Sequence, residues 1–183
     1  PTILVILAGS AMACSWADEH IKAILHGWYP GAQGGRAVAS VLFGEYNPSG
    51  KLPVTFYKTT EELPDFRDYS MKGRTYRYME NEALYPFGYG LSYTKYEYSN
   101  LILSSDSIEA GNSIDLSVMV KNTGDYAGDE IVEVYIRDEK ASVEVPRWSL
   151  CSVECVHLKP EEERTVKFTV TPNQMSIVDN DGK

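Results

Sequence analysis

Trp28–Phe56 reads WYPGAQGGRAVASVLFGEYNPSGKLPVTF. The pattern from Ala37 to Phe43 (AVASVLF) predicts a helix closed by Gly44, with a turn at Asn47, Pro48, Ser49 and Gly50. Gly34 and Gly35 provide a tight entrance to that helix at Arg36 and permit close backbone approach. GAQGGRA lacks the G-x-G-x-x-G order and does not directly follow a strand, which argues against a phosphate-binding turn. Leu52 to Phe56, with Pro53 early, reads as a short strand.

Toward the N-terminus, the apolar run Thr2–Ala8 (TILVILA) ends at Gly9 and predicts a central parallel strand covered on both faces. Ser15 with Asp18 reads as an N-cap signal, and Asp18 and Glu19 suit a first helical turn. Trp16, Ile21, Ile24, Leu25 and Trp28 then form an apolar helical stripe stopped by Gly27 and Pro30. Residues 1–57 therefore predict strand, helix, helix and strand, the end of an α/β layer. A chain that starts directly in a core strand reads as a fragment.

Toward the C-terminus, residues 58–95 show no clean period and are punctuated by Pro64, Gly73, Pro86, Gly88 and Gly90. Their aromatic and Leu anchors between Tyr76 and Tyr93 argue against disorder, so this stretch is expected to be an irregular docked linker. From Tyr96 the period becomes two. Ile114, Leu116, Val118 and Val120, then Val132, Val134 and Ile136, then Val166, Phe168 and Val170, alternate with mostly polar residues. With turns at Gly111, Gly124, Gly128 and Pro160, residues 96–183 predict an all-β sandwich. Asp181-Gly182 reads as a hairpin turn without a returning strand, so the sandwich is expected to lack its last strand and expose an edge.

The totals narrow the function. Net charge is -9 and the pI is about 4.8. Without a basic stripe, neither nucleic acid nor a membrane surface is an expected partner. No apolar stretch reaches the ~20 residues of a membrane span, and the opening lacks the basic region of a signal peptide. The chain has thirteen Tyr against five Phe, a bias that suits half-buried strand surfaces and wet clefts. The three Cys have no framework spacing. Cys151 and Cys155 are expected to share one strand face, too far apart to bond, as small buried hydrophobes. Free thiols point to a reducing, cytoplasmic setting.

No side chain in the sequence stands in a compelling catalytic context. Asp18 and Glu19 read as helix-terminal acids, Glu61 and Glu62 as polar loop, and Glu161 to Glu163 as a solvated turn after Pro160. His20 and His26 are six apart, wrong for an i, i+4 metal pair, and His157 stands alone in a strand. Ser10 in AGSAM lacks the G-x-S-x-G elbow, and no Cys sits near a His in a protease arrangement. Asp179, Asn180, Asp181 and Gly182 imitate half a calcium loop without the distal Glu. No catalytic, cofactor or metal residue is assigned.

Several ordered motifs nevertheless agree: Trp16–His20, Trp28–Phe56, Leu63–Phe66, Gly73–Tyr78, Leu84–Thr94 and Val120–Ile136. Together they resemble the C-terminal half of glycoside hydrolase family 3, the β-glucosidase and β-xylosidase family. The resemblance implies the end of an (α/β)6 sandwich domain over 1–57, the linker over 58–95 and a fibronectin type III-like sandwich over 96–183. It also implies that the nucleophilic Asp lies in a missing catalytic barrel, and that the general acid/base Glu lies before the segment matching Thr2–Gly9. The intact parent would hydrolyse terminal β-linked glucose or xylose with retention, on oligosaccharides or aryl glycosides. This chain alone is expected to be inactive. The loop Gly9–Trp16 is expected to flank the cleft, and Arg74 and Arg77 either pair with acids of the missing barrel or pack locally. The alternative is a self-standing carbohydrate-binding or protein-interaction module, with Trp148 and Tyr126 stacking on sugars. Cut edges predict self-association.

Overall fold

The computed structural model describes residues 1–178 and divides into two compact units. Residues 1–46 and 51–90 compose the first; Asn47–Gly50 and the chain from Leu91 onward compose the second. Most of the expected linker is therefore an integral part of the first unit. The notional hairpin and calcium-like turn at 179–182 lie outside the described residues.

In the first unit β1 (Leu4–Ile6) pairs in parallel with β2 (Ile24–His26), in the register Leu4↔Ile24 to Ile6↔His26. Between them runs α1 (Ser15–His20). The sequence-based helix over 15–28 is thus corrected to a short helix and a strand. Asp18 N–H bonds to the Cys14 carbonyl and Ile21 N–H to that of Ala17, and Ile21 then turns to extended backbone. Ser15 is not the N-cap: Cys14 holds that place without a side-chain bond, and Ser15 Oγ donates to the Lys58 carbonyl at 2.7 Å. Nor is β1 covered on both faces among the described residues. It is half-buried, and the flanking Leu7 is 59% exposed.

The second helix, α2 (Gly34–Leu42), forms where the apolar period places it. Gly44 ends it at φ +77°, a left-handed geometry that glycine adopts without a Cβ clash. The expected strand Leu52–Phe56 does not form a ladder. Pro53 supplies no N–H, so the run bonds only at its ends: Leu52 with Tyr89 and Gly88, and Phe56 with Tyr85 and Leu84. Short turns of helix follow at Thr60–Glu62 and at α3 (Thr75–Tyr78).

The second unit is the sandwich. One sheet has the order β3-β4-β7, from Tyr96–Leu103, Ile114–Asn122 and Glu163–Val170; the other pairs β5 (Gly128–Ile136) with β6 (Ser149–Leu158). All pairings are antiparallel. The period-two sets face inward, so Val120, Val132, Val156, Leu158, Val166 and Val170 from both sheets meet in one core. A four-residue helix, α4 (Pro172–Met175), follows β7 with a capping box between Thr171 and Gln174.

A bulge corrects the expectation for the cysteines. Val134 pairs with Ser152 but Tyr135 pairs with Leu150, so Cys151 is the extra residue and strand parity flips there. Cys151 consequently packs against the core while Cys155 faces solvent; they share no face, and Cys155 is not a buried hydrophobe.

Candidate functional site

The carboxyl ends of β1 and β2 lie on the side of a parallel sheet where α/β sites form. The loop after β1 begins at Gly9, and a Cβ there would stand 2.3 Å from Tyr29 Oη, so the loops after both strands touch. His26 ends β2. Its ring meets Trp28 edge-on at 4.3 Å between centroids and Phe56 at 5.4 Å, nearly perpendicular. Phe56 is 2% exposed, which makes it the fixed wall of this aromatic box. Both ring nitrogens of His26 are shielded from solvent without a well-formed hydrogen bond. Burial pushes the imidazole below its ordinary range, with the Ser10 backbone acting in the opposite sense.

Beside the box, Tyr85 Oη donates to Asp18 Oδ1 at 2.6 Å, and the Tyr85 ring stacks on Tyr89. Burial, then the bond to Asp18, drives the Tyr85 phenol well above its usual range. Burial, then the Asp18 charge, also raises the Cys14 thiol, which suits an inert thiol rather than a nucleophile.

Three of the other acids singled out in sequence, Glu62, Glu161 and Glu162, are also in local bonds. Glu62 Oε2 accepts the Lys58 N–H at 2.9 Å, Glu161 pairs with Lys121 at 2.6 Å, and Glu162 accepts from Lys159 N–H and Arg164. Glu61 lends its N–H to Thr59 Oγ1. A retaining hydrolase requires two carboxyls about 5–5.5 Å apart, one of them held protonated. None of these local arrangements supplies that pair. Among the described residues no group of three or more His, Cys, Asp or Glu side chains is placed to hold a metal ion. No described helix is long and apolar enough to cross a membrane.

The remaining candidates are scattered. His20 stacks on Trp16 within α1, and His157 Nδ1 lies 2.7 Å from Asp129 Oδ1 on the outer face of β5 and β6. Arg74 directs a guanidinium nitrogen to the Asp68 carbonyl, but its Nε is buried without a partner; Arg77 is exposed. Trp148 is 44% exposed with Arg137 5.6 Å over its ring, and Tyr126 is 62% exposed.

Two asparagines make bonds that the sequence reading did not foresee: it placed Asn47 in a turn and passed over Asn122. Asn122, fully buried, donates to the Tyr126 and Leu158 carbonyls and accepts from Thr94 Oγ1 and Gly124 N–H. Asn47 accepts from Ser92 Oγ and Tyr93 N–H and donates to the Ala127 carbonyl. Every partner of Asn47, and Thr94 and Leu158 among those of Asn122, lie far off in sequence, so periodicity carried no sign of these bonds.

Comparison with known proteins gives these parts a context. Residues 1–93 match the glycosyl hydrolase family 3 C-terminal domain, and residues 130–183 match a fibronectin type III-like domain. The chain is 44% identical to a xylan 1,4-beta-xylosidase of Xylanibacter ruminicola, over 97% of this chain and 20% of that protein. It is 40% identical to a beta-glucosidase of Bacteroides ovatus, over 97% of this chain and 26% of that protein. Its fold superposes on a solved b-glucosidase of Erythrobacter marinus with a TM-score of 0.87 at 40% identity, covering 100% of this chain and 24% of that one. The chain thus spans about a fifth to a quarter of the length of the relatives it matches.

Proposed function

We propose a function from one premise: the chain belongs to glycoside hydrolase family 3, as its C-terminal α/β portion and the fibronectin type III-like domain. The whole protein hydrolyses terminal β-linked glucose or xylose. A carboxylate attacks the anomeric carbon, an acid protonates the leaving oxygen, and water then releases the sugar with retained configuration. Both carboxylates belong to parts of the protein outside this chain, foremost a catalytic barrel. The present chain contributes the Gly9–Trp16 loop beside the cleft and a rigid support behind it.

The observation that carries this reading is the superposition of the whole chain on part of a β-glucosidase, with Asp18, Glu62, Glu161 and Glu162 taken up in local bonds. The test is turnover of aryl β-glucoside and aryl β-xyloside by the full-length protein, with the first-formed anomer followed by NMR. A β-anomer is expected. Absence of turnover on both substrates, or a first-formed α-anomer, refutes the reading.

Isolated from the rest of the protein, the chain self-associates through exposed strand edges; light scattering that shows a clean monomer counts against this. A sugar-binding module on the sandwich is favoured only by the exposure of Trp148 and Tyr126. Arg137 over the Trp148 ring occupies a face that a sugar would need. Flat calorimetric titrations with oligosaccharides remove that alternative.

A further inference from the structure

The first unit holds two non-glycine residues in the left-handed region, Trp28 at φ 50° and Thr75 at φ 55°. That conformation is a genuine outlier for a bulky or β-branched side chain. It persists only where the surroundings over-determine it, and such residues cluster at functional sites.

Three consecutive residues reach both positions. Tyr57 Oη accepts the Thr75 N–H at 2.8 Å, and Thr55 Oγ1 accepts the Tyr76 N–H at 2.9 Å. Thr55 is 4% exposed, so its hydroxyl is held in place by its surroundings. Between these two, the buried Phe56 sets its ring against His26, which in turn meets Trp28. The Phe56 backbone is itself bonded to Leu84 and Tyr85.

Stability alone does not account for these choices. Glycine would occupy position 75 without the Cβ clash, giving up only the exposed 3.3 Å bond that Thr75 Oγ1 accepts from the Arg77 N–H, and phenylalanine at position 26 would bury no unpaired nitrogen.

We propose that Thr55, Phe56 and Tyr57 are positioning residues, a clamp that holds the turn after β2 and the turn before α3 in the conformations catalysis requires. This rests on the glycosidase function proposed above. Through Trp28 the clamp fixes the adjacent Tyr29, whose ring lies where a Gly9 side chain would stand, and so sets the start of the Gly9–Trp16 loop. Strain at Trp28 and Thr75 is thereby held in the free enzyme as pre-organisation of the cleft wall.

The test uses the full-length protein and an aryl β-glycoside. Thr75→Gly is expected to raise Tm while lowering kcat about tenfold or more, with KM near the wild-type value. Thr55→Val and Tyr57→Phe are expected to lower kcat in the same way. Thr55→Ser, which keeps the acceptor oxygen, is expected to retain it. A Thr75→Gly enzyme with raised Tm and full kcat overturns the proposal, because the strain is then incidental. A Tm below that of Thr75→Ala, which loses the same Oγ1 bond to the Arg77 N–H but keeps the Cβ, also overturns it, because the turn is then not strained. Should the wild-type protein show no glycosidase turnover, the functional reading fails separately and the clamp is read by amide hydrogen exchange. Protection lost at Thr75 and Tyr76 in Thr55→Val and Tyr57→Phe supports it; unchanged protection overturns it.

Discussion

Asn122→Ala is expected to cost the second unit most of its stability. The side-chain amide offers two donors and two acceptor lone pairs, and all four are used. It donates at 2.8 Å to the Tyr126 carbonyl and 3.0 Å to the Leu158 carbonyl, and accepts at 2.6 Å from Thr94 Oγ1 and 3.1 Å from Gly124 N–H. These partners lie before β3, in the β4–β5 turn and at the end of β6, so one amide joins three passages of chain. Each bond contributes about 0.5–1.5 kcal/mol net, which gives roughly 2–6 kcal/mol for four. Asn122 is 0% exposed, so groups abandoned by the truncation are poorly placed to find water. Each one left unsatisfied adds about 1–3 kcal/mol. A total above about 4 kcal/mol is comparable with the ~5–15 kcal/mol that holds an ordinary domain folded. Urea unfolding, read by hydrogen-exchange protection of β4 and β7 amides, measures the change. A loss below about 1 kcal/mol would refute the idea that this network joins the ends of the strands.

Gly128→Ala should destabilise the sandwich by about 1–3 kcal/mol, by the usual cost of overpacking. The new Cβ would stand 2.1 Å from Asn47 Nδ2 and 2.7 Å from Tyr96 Oη, and a thermal melt checks the loss. His26 makes the first unit sensitive to acid. Its folded pKa lies below the ordinary 6.5, so the unfolded chain takes up the proton first. Stability is therefore full above about pH 6.5 and falls as pH drops toward the folded value, levelling off below it. Unfolding midpoints at stepped pH should show this slope in the wild type and a weaker one in His26→Phe. Alkylation followed by mass spectrometry should modify exposed Cys155 before Cys151, which packs against the core and directs its thiol to the Val134 carbonyl. Equal rates would contradict the bulge at Cys151.

The sandwich was legible because one face of each core strand is buried, and period two survives in the sequence. Leu116, Val118 and Val120 on β4, and Val166, Phe168 and Val170 on β7, show it plainly. β3 gave no such signal, since Glu97 to Leu103 are all exposed and nothing selects one face. In the first unit, α1 and β2 together imitate one long helix. Ile24 and Leu25 happen to continue the 3.6-residue spacing begun by Trp16, while pairing with β1 makes them a strand. Pro53 lies inside an apolar run whose ends alone find partners, a distinction that propensity does not contain. The candidate site was legible only as a loop, Gly9–Trp16. Its wall unites His26, Trp28 and Phe56 with Tyr85 and Asp18, contacts set by tertiary packing and not by spacing. The family itself was legible because ordered motifs of Gly, Pro and aromatic residues persist where periodicity fails.

The central claim is that these 183 residues support a glycosidase without carrying its chemistry. The most direct measurement compares aryl β-glucoside and β-xyloside hydrolysis by the purified chain and by the full-length protein at equal molar concentration. The account predicts turnover by the full-length protein and only the uncatalysed rate from the chain. Turnover by the chain at rates comparable to the full-length protein would contradict it, and would place a working carboxylate pair within this sequence.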